Sequence, residues 1–159
     1  MARALCLLVF LVLGRGLAAA PVACHPDLAL ISSAEGKALA SFHVEVADDE
    51  AERAQGLMNR DALAKSAGML FVYPSERPVA FWMHDTLIPL DMLFLDGTGR
   101  VISVHPKARP LDETPIPSGA PAQFVLEING GLAQRLGIAP GAVLSHPAVP
   151  LARAARPCQ

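Results

Sequence analysis

Five side chains in this sequence have types and positions suited to chemistry: Trp82, His84, Asp85, Asp91 and Glu127. Four of them fall in Phe81-Trp82-Met83-His84-Asp85-Thr86-Leu87-Ile88-Pro89-Leu90-Asp91, where an apolar run enters a polar corner and leaves as another apolar run. A strand end of that kind can hold an aromatic face, a titratable imidazole and two carboxylates rigidly together. A carboxylate flanking His84 favours the imidazolium, so binding at this corner is expected to respond between about pH 5.5 and 7.5. Glu127 stands apart, inside Phe124-Val125-Leu126-Glu127-Ile128. A carboxylate buried there without a partner is costly. It is therefore expected either to pair with Arg53, Arg60 or a backbone N–H, or to be a carboxyl of raised pKa in a cleft.

Structural roles compete with these readings. Trp82 can be core, because buried aromatic rings dominate packing. Asp91 follows Pro89-Leu90 and can cap a turn by accepting backbone N–H bonds. His84, Asp85, Asp91 and His105 offer nitrogen and oxygen donors, and Met58, Met69 and Met83 offer sulfur, but the spacing matches no metal-ligand motif. The methionines stand in apolar contexts suited to core filling. No metal or other cofactor is expected. The chain has no Gly-x-Ser-x-Gly elbow and no glycine-rich phosphate loop. Two readings remain. One is non-catalytic binding of a small polar ligand, or of an envelope protein, in a cleft at the 82–91 corner. The other is a hydrolase with Asp91 and Glu127 as an acid/base carboxylate pair. Binding is favoured, because the enzyme needs a nucleophile or metal that the sequence does not offer.

The elements that must position these residues are short. Residues 40–46 alternate, with Phe42, Val44 and Val46 on one face and Ser41, His43 and Glu45 on the other, which is strand periodicity. Acids at 48–50 and Gly56 bracket a short helix over 51–55, with a further turn over 61–65. Apolar runs predict strands at 69–73, ended by Pro74, and at 79–83, 92–95, 100–104, 122–128 and 142–144. Asp96-Gly97 between two such runs signals a hairpin. Residues 106–121 carry five prolines and no apolar period, as a lid or binding loop would. A short helix over 130–136 stops at Gly137. The pattern predicts a mostly β fold, a compact antiparallel sandwich or barrel with two or three short helices. Its expected organisation is a leader at 1–20, an N-terminal extension at 21–38, one β-rich domain at 39–147 and a flexible tail at 148–159.

Four blocks in fixed order resemble the domain of unknown function 192 family, a group of exported or membrane-tethered proteins of bacteria and archaea. They are Gly56-Leu57-Met58-Asn59-Arg60, Gly68-Met69-Leu70-Phe71, the Phe81 to Asp91 stretch, and Val125-Leu126-Glu127-Ile128 with Gly131. The resemblance spans residues 42 to about 146. The family pattern usually has Lys-Asn where this chain has His84-Asp85. The resemblance implies a compact β-sandwich or barrel with small helices. It implies no established activity, and a fold alone supplies none.

The ends of the chain suggest a compartment. Arg3, an apolar run from Leu5 to Leu13 and the small residues Ala18-Ala19-Ala20 have the order of a secretory signal peptide. The run is too short for an ordinary transmembrane helix of roughly 20 residues. An uncleaved N-terminal anchor stays open, because Pro21 is a poor residue after a cut behind Ala20. The expected location is periplasmic or secreted, with membrane tethering through the leader as the alternative. Loss of Arg3 and Arg15 with the leader moves the net charge from −2 to −4. No basic stripe survives, so a nucleic-acid partner is not expected. Cys24 and Cys158 stand near opposite ends of the mature chain; a disulfide, free thiols and lipidation of Cys24 are the open alternatives. Mass spectrometry of the native protein should give a mature chain starting near Ala20. An intact N-terminal Met in a soluble cytoplasmic fraction would defeat the export reading.

Overall fold

The computed structural model describes residues 23–158, so the expected leader lies outside the described residues. Along these residues run β1 (Leu28–Ser32), β2 (Ala38–Ala47), α1 (Glu50–Gln55), β3 (Ala67–Arg77), β4 (Ala80–Phe81), β5 (Leu90–Leu95), β6 (Val101–Ala108), β7 (Ile116–Pro117), β8 (Ala122–Asn129), α2 (Leu132–Leu136) and β9 (Val143–Ser145). Seven strands form one sheet in the order β6-β5-β8-β3-β2-β1-β9, and β4 pairs with β7 in a second, small sheet. The large sheet curls into a half-barrel. Its edges touch at one end, where the Val101 N–H donates to Ala142 O and the Leu144 N–H to Gly99 O, both at 2.8 Å. The fold is mostly β, as the pattern predicts. One detail differs: β2 and β3 are parallel, with His43 opposite Ala67 and Ala47 opposite Phe71. A parallel pair needs a long crossover, and the segment carrying α1 supplies it.

Each face of the sheet buries its own core. Phe42, Val44, Leu70, Leu93, Leu126 and Ile128 belong to the concave side, with residues from every strand of the large sheet and the apolar residues of α2. Met69, Phe71, Met92, Phe94 and Val125 belong to the outer side, roofed by Leu57, Val79, Met83 and Ile116. Every residue of β5 is therefore buried, and so are Ala122 to Ile128 of β8. This explains why those segments read as unbroken apolar runs rather than alternating ones. Phe81 and Ile102 are only partly buried, whereas Phe42, Val44, Leu57, Leu70, Phe71, Leu93, Val125 and Ile128 are fully so.

Local signals set the joints. Asp49 caps α1 by accepting the Glu52 N–H at 2.8 Å, and Glu52 returns the bond to the Asp49 N–H. Gly56 ends the helix at φ 48°, a conformation that favours glycine, and a Cβ there would make a tight contact at 3.2 Å with the Phe71 ring. At the β5–β6 hairpin, Asp96 Oδ1 accepts the N–H groups of Thr98 and Arg100 at 2.9 and 3.0 Å.

Several boundaries differ from expectation. β1 lies within the presumed extension at 21–38, yet it sits in the sheet between β2 and β9. Its short apolar run has no alternation to mark it. β3 passes through Pro74, where a register irregularity between Val72 and Arg77 removes the need for a proline N–H. Residues 61–65 form no helix, and only Ala80–Phe81 of 79–83 is paired. The end of the chain, expected as a flexible tail, is packed down: Val149 is buried, Arg153 donates to Gln123 at 3.2 Å, and Arg156 donates to Gly36 O at 2.6 Å. Cys158 is joined to Cys24 by a disulfide that closes a sequence separation of 134. Reducing it should lower stability by about 2–4 kcal/mol. Chemical denaturation with and without reductant checks this, and coincident curves would show that packing alone holds the ends.

Candidate functional site

The register of the large sheet lays out a row of side chains across its outer face: Glu45, Met69, Glu127, Met92 and His105 stand opposite one another on β2, β3, β8, β5 and β6. Glu127 is thus held between two thioethers, which offer it no strong donor. It is only 4% exposed, and among the described residues it makes no hydrogen bond and no ion pair. Burial alone pushes its carboxyl from 4.5 up to about 8. The acid is protonated at neutral pH.

This carboxyl forms part of the lining of a cleft of about 210 Å³ on the outer face. Phe71, Tyr73 and Phe81 supply aromatic walls, Gly56 and Met58 come from the end of α1, and Trp82 and Thr86 come from the corner after β4. The rings of Phe71 and Phe81 meet edge to face with centroids 4.9 Å apart. Trp82 is half exposed, so it is a rim residue and not core. Its ring stacks on His84 at 5.0 Å, with 30° between planes. His84 Nδ1 lies 2.8 Å from Glu113 Oε1, and its Nε2 lies 3.4 Å from Asp85. The bond to Glu113, helped by the charge of Asp85, raises the His84 pKa. A larger groove of about 360 Å³ along β1 and β2 is lined by aliphatic residues, serines and Arg156, with no acid or aromatic ring.

The arginines expected to pair with Glu127 do not reach it. Arg60 donates to Glu45 at 2.7 Å, two places along the same row and so about 10 Å away at the usual strand spacing. Arg53 donates to the carbonyls of Asp48 and Val72, the latter at 2.9 Å, and lies over the Tyr73 ring. Neither forms a structural ion pair with the buried acid, and no backbone N–H replaces them.

Asp91 does not join the cleft. It stands opposite Ile128 on the sheet, while Glu127 stands opposite Met92. Neighbouring positions on a strand face opposite sides, so the two carboxyls project from opposite faces of the sheet. An acid/base pair of Asp91 and Glu127 is sterically excluded, and with it the hydrolase built on that pair. Asp91 is fully buried and accepts the N–H groups of Lys107, Gly131 and Ala133 at 2.7, 2.7 and 2.8 Å. That is the turn-capping role. His105 lines a separate depression with Met83 and Asp112, so His84, Asp85, Asp91 and His105 do not converge on one point. Met69 and Met83 are buried in the outer core, while Met58 lines the cleft.

The proline-rich loop lies beside the corner without roofing the cleft. Met83 N–H donates to Asp112 O at 3.0 Å and Leu111 N–H to Thr86 O at 3.2 Å. Its first part belongs to β6, and β7 pins its later part against β4. Tyr73, Thr86 and Glu113 were not legible as site residues. Nothing in the spacing of Glu113 and His84 points to their contact, and Tyr73 reads only as an apolar strand position.

The DUF192 family, described as "Uncharacterized ACR", matches residues 31–146. The chain belongs to this family. No curated protein matches it. Two solved structures are similar. One is a protein of Sinorhizobium meliloti 1021 described as a candidate transcription regulator; it is 39% identical, with a TM-score of 0.72 over 79% of this chain and 96% of that one. The other is a protein of unknown function from Novosphingobium aromaticivorans DSM 12444; it is 42% identical, with a TM-score of 0.70 over 80% of this chain and 93% of that one. The DUF192 blocks quoted above converge in space. Asn59, at φ 60°, donates its N–H to Asp85 O at 2.7 Å, joining the first block to the third. Gly68 packs so close to β8 that a Cβ would lie 2.6 Å from Glu127 O, joining the second to the fourth.

Glu127 gives a pH signature. Its folded pKa lies above its unfolded value, so its contribution to stability is complete below about pH 4.5 and is lost as pH rises through about 8. Relative to Glu127→Gln, the native protein should lose about 1.4 kcal/mol per pH unit within that window. Urea denaturation at pH 5 and pH 8 checks this, and parallel profiles for the two proteins would show an acid that is paired or solvated.

Proposed function

We propose that this is an exported, non-catalytic domain that binds a small polar ligand in the outer cleft, against Glu127 and under the rim at Trp82. One observation carries the reading: a buried carboxyl without a partner among the described residues lines an open, aromatic-walled cleft. Such a group lowers stability above about pH 5, and a ligand that pairs with it recovers that loss. Apolar walls with one directed polar group are the usual makeup of a small-molecule site. The cleft is smaller than a drug-sized pocket, which limits the ligand to a small molecule or the end of a larger one. The disulfide between Cys24 and Cys158 supports an oxidising compartment outside the cytoplasm. Among the described residues no helix is long and apolar enough to cross a membrane. A tether, if the leader is retained, therefore rests on the N-terminal segment.

The description of the S. meliloti relative does not extend readily to this chain. Arg53 of the cleft lining and Arg77 beside it are both stacked on Tyr73, and the net charge is −2. That is a poor footprint for nucleic acid. A thermal-shift screen of amino acids, sugars, amines and nucleosides against the oxidised domain should find a stabilising class, with about 2.7 kcal/mol gained at 100 times the dissociation constant. Trp82→Ala should weaken that binding while moving stability by no more than about 0.5 kcal/mol. Asp91→Asn should lower stability and leave affinity unchanged in the folded fraction. The reverse pattern, with affinity following Asp91 and not Trp82, would place the site elsewhere.

A further inference from the structure

We propose that the group docking against Glu127 is an ammonium, primary or quaternary, carried by the small ligand of the cleft; this rests on the cleft being a ligand site. Several independent features of the cleft agree. Glu127 lies between Met69 and Met92 and has no donor among the described residues, which leaves its oxygens for a donor or a cation that comes from outside. The walls beside it are the rings of Phe71 and Phe81, with Trp82 at the rim; the Tyr73 ring is already occupied by arginine. Aromatic faces are electron-rich and attract cations, and a ring-walled pocket with a carboxyl is the arrangement that selects ammonium groups. One cationic side chain, Arg53, itself lines the cleft, and it is already engaged. Arg53 is held by two backbone carbonyls, and Arg53 and Arg77 lie 5.3 and 4.8 Å from the Tyr73 ring centre. At the other end, His84 faces Glu113 and Asp85 across the rim. The two arginines guard the Tyr73 end, so the ammonium is confined to the Glu127–Trp82 side.

The reaction balances as a proton exchange. The ammonium enters with its charge, the Glu127 carboxyl gives its proton to the buffer, and a carboxylate–ammonium pair remains. A neutral ligand would take a hydrogen bond and release nothing. Proton release therefore separates the two, and it fades as pH rises past the value at which Glu127 is already ionised.

The test is calorimetric titration of the oxidised protein with choline, with n-butylammonium, and with 3,3-dimethylbutan-1-ol, the uncharged isostere of choline. Titrations run at about pH 6.5 in buffers of different ionisation enthalpy. At least one ammonium probe should bind about tenfold or more tighter than the alcohol, a difference of about 1.4 kcal/mol. It should release about one proton and change the emission of Trp82, the single tryptophan. Glu127→Gln should abolish both the discrimination and the release. Equal affinity for the alcohol, or binding without proton release in the native protein, overturns the ammonium assignment. If neutral compounds perturb Trp82 while neither ammonium probe does, the ammonium falls and the cleft stands. If no compound of any class perturbs it, the cleft reading falls as well. Proton release is measured on the native protein, so the result does not depend on the variant folding.

Discussion

A carboxyl taken out of water must find N–H donors, and the fold is organised around one that does. Asp91 accepts three backbone N–H bonds, from the bend of β6 at Lys107 and from Gly131 and Ala133 at the start of α2. No side-chain donor is used, so the bonds bind strand, edge strand and helix into one unit by their main chains alone. The neighbouring Gly130 N–H donates to Pro89 O at 2.8 Å, which fixes the entry of β5 from the same side. The corner that carries Trp82, His84 and Asp85 is the segment leading into this knot. Its position follows from where Asp91 is tied. Losing the acceptor would leave the buried donors of Gly131 and Ala133 without partners, each costing about 1–3 kcal/mol, and the part-buried Lys107 N–H as well.

Glu127 is the counterexample on the adjacent strand. One residue of register places it opposite Met92 rather than beside Asp91, and the sheet puts it on the other face. There the neighbours are sulfur and aromatic carbon. The protein tolerates the group by keeping it protonated, at a local cost in stability. The same sheet thus holds one acid whose polar needs are fully met by backbone and another whose needs are met by nothing in the described chain. Both faces carry a buried apolar core, and they differ in how the acid on each is satisfied.

How much of this was legible follows from the range of each signal. Alternation in β2, the Asp49 cap and the Asp96 hairpin are local, and the sequence shows them directly. The turn-capping role of Asp91 is also written locally, in Pro89-Leu90-Asp91. The burial of Glu127 is visible in its apolar surroundings. Its lack of a partner is not, because its neighbours depend on the register of four strands and on a parallel crossover that no local pattern encodes. Arg60 looked available and is spent on Glu45, two strands away. β1 escaped because five residues without alternation carry little periodicity. The packed end escaped because its hold comes from contacts 120 residues away, such as Arg156 on Gly36.

The bond between Cys24 and Cys158 makes a closed ring of the described domain. A pull applied at the two ends would be borne by sulfur and not by the ladder of β1 and β9. Extension would then stop at the bond, and the sheet inside the ring would stay unloaded until that covalent link was reduced. A domain closed this way can be tugged at both ends without the outer cleft opening.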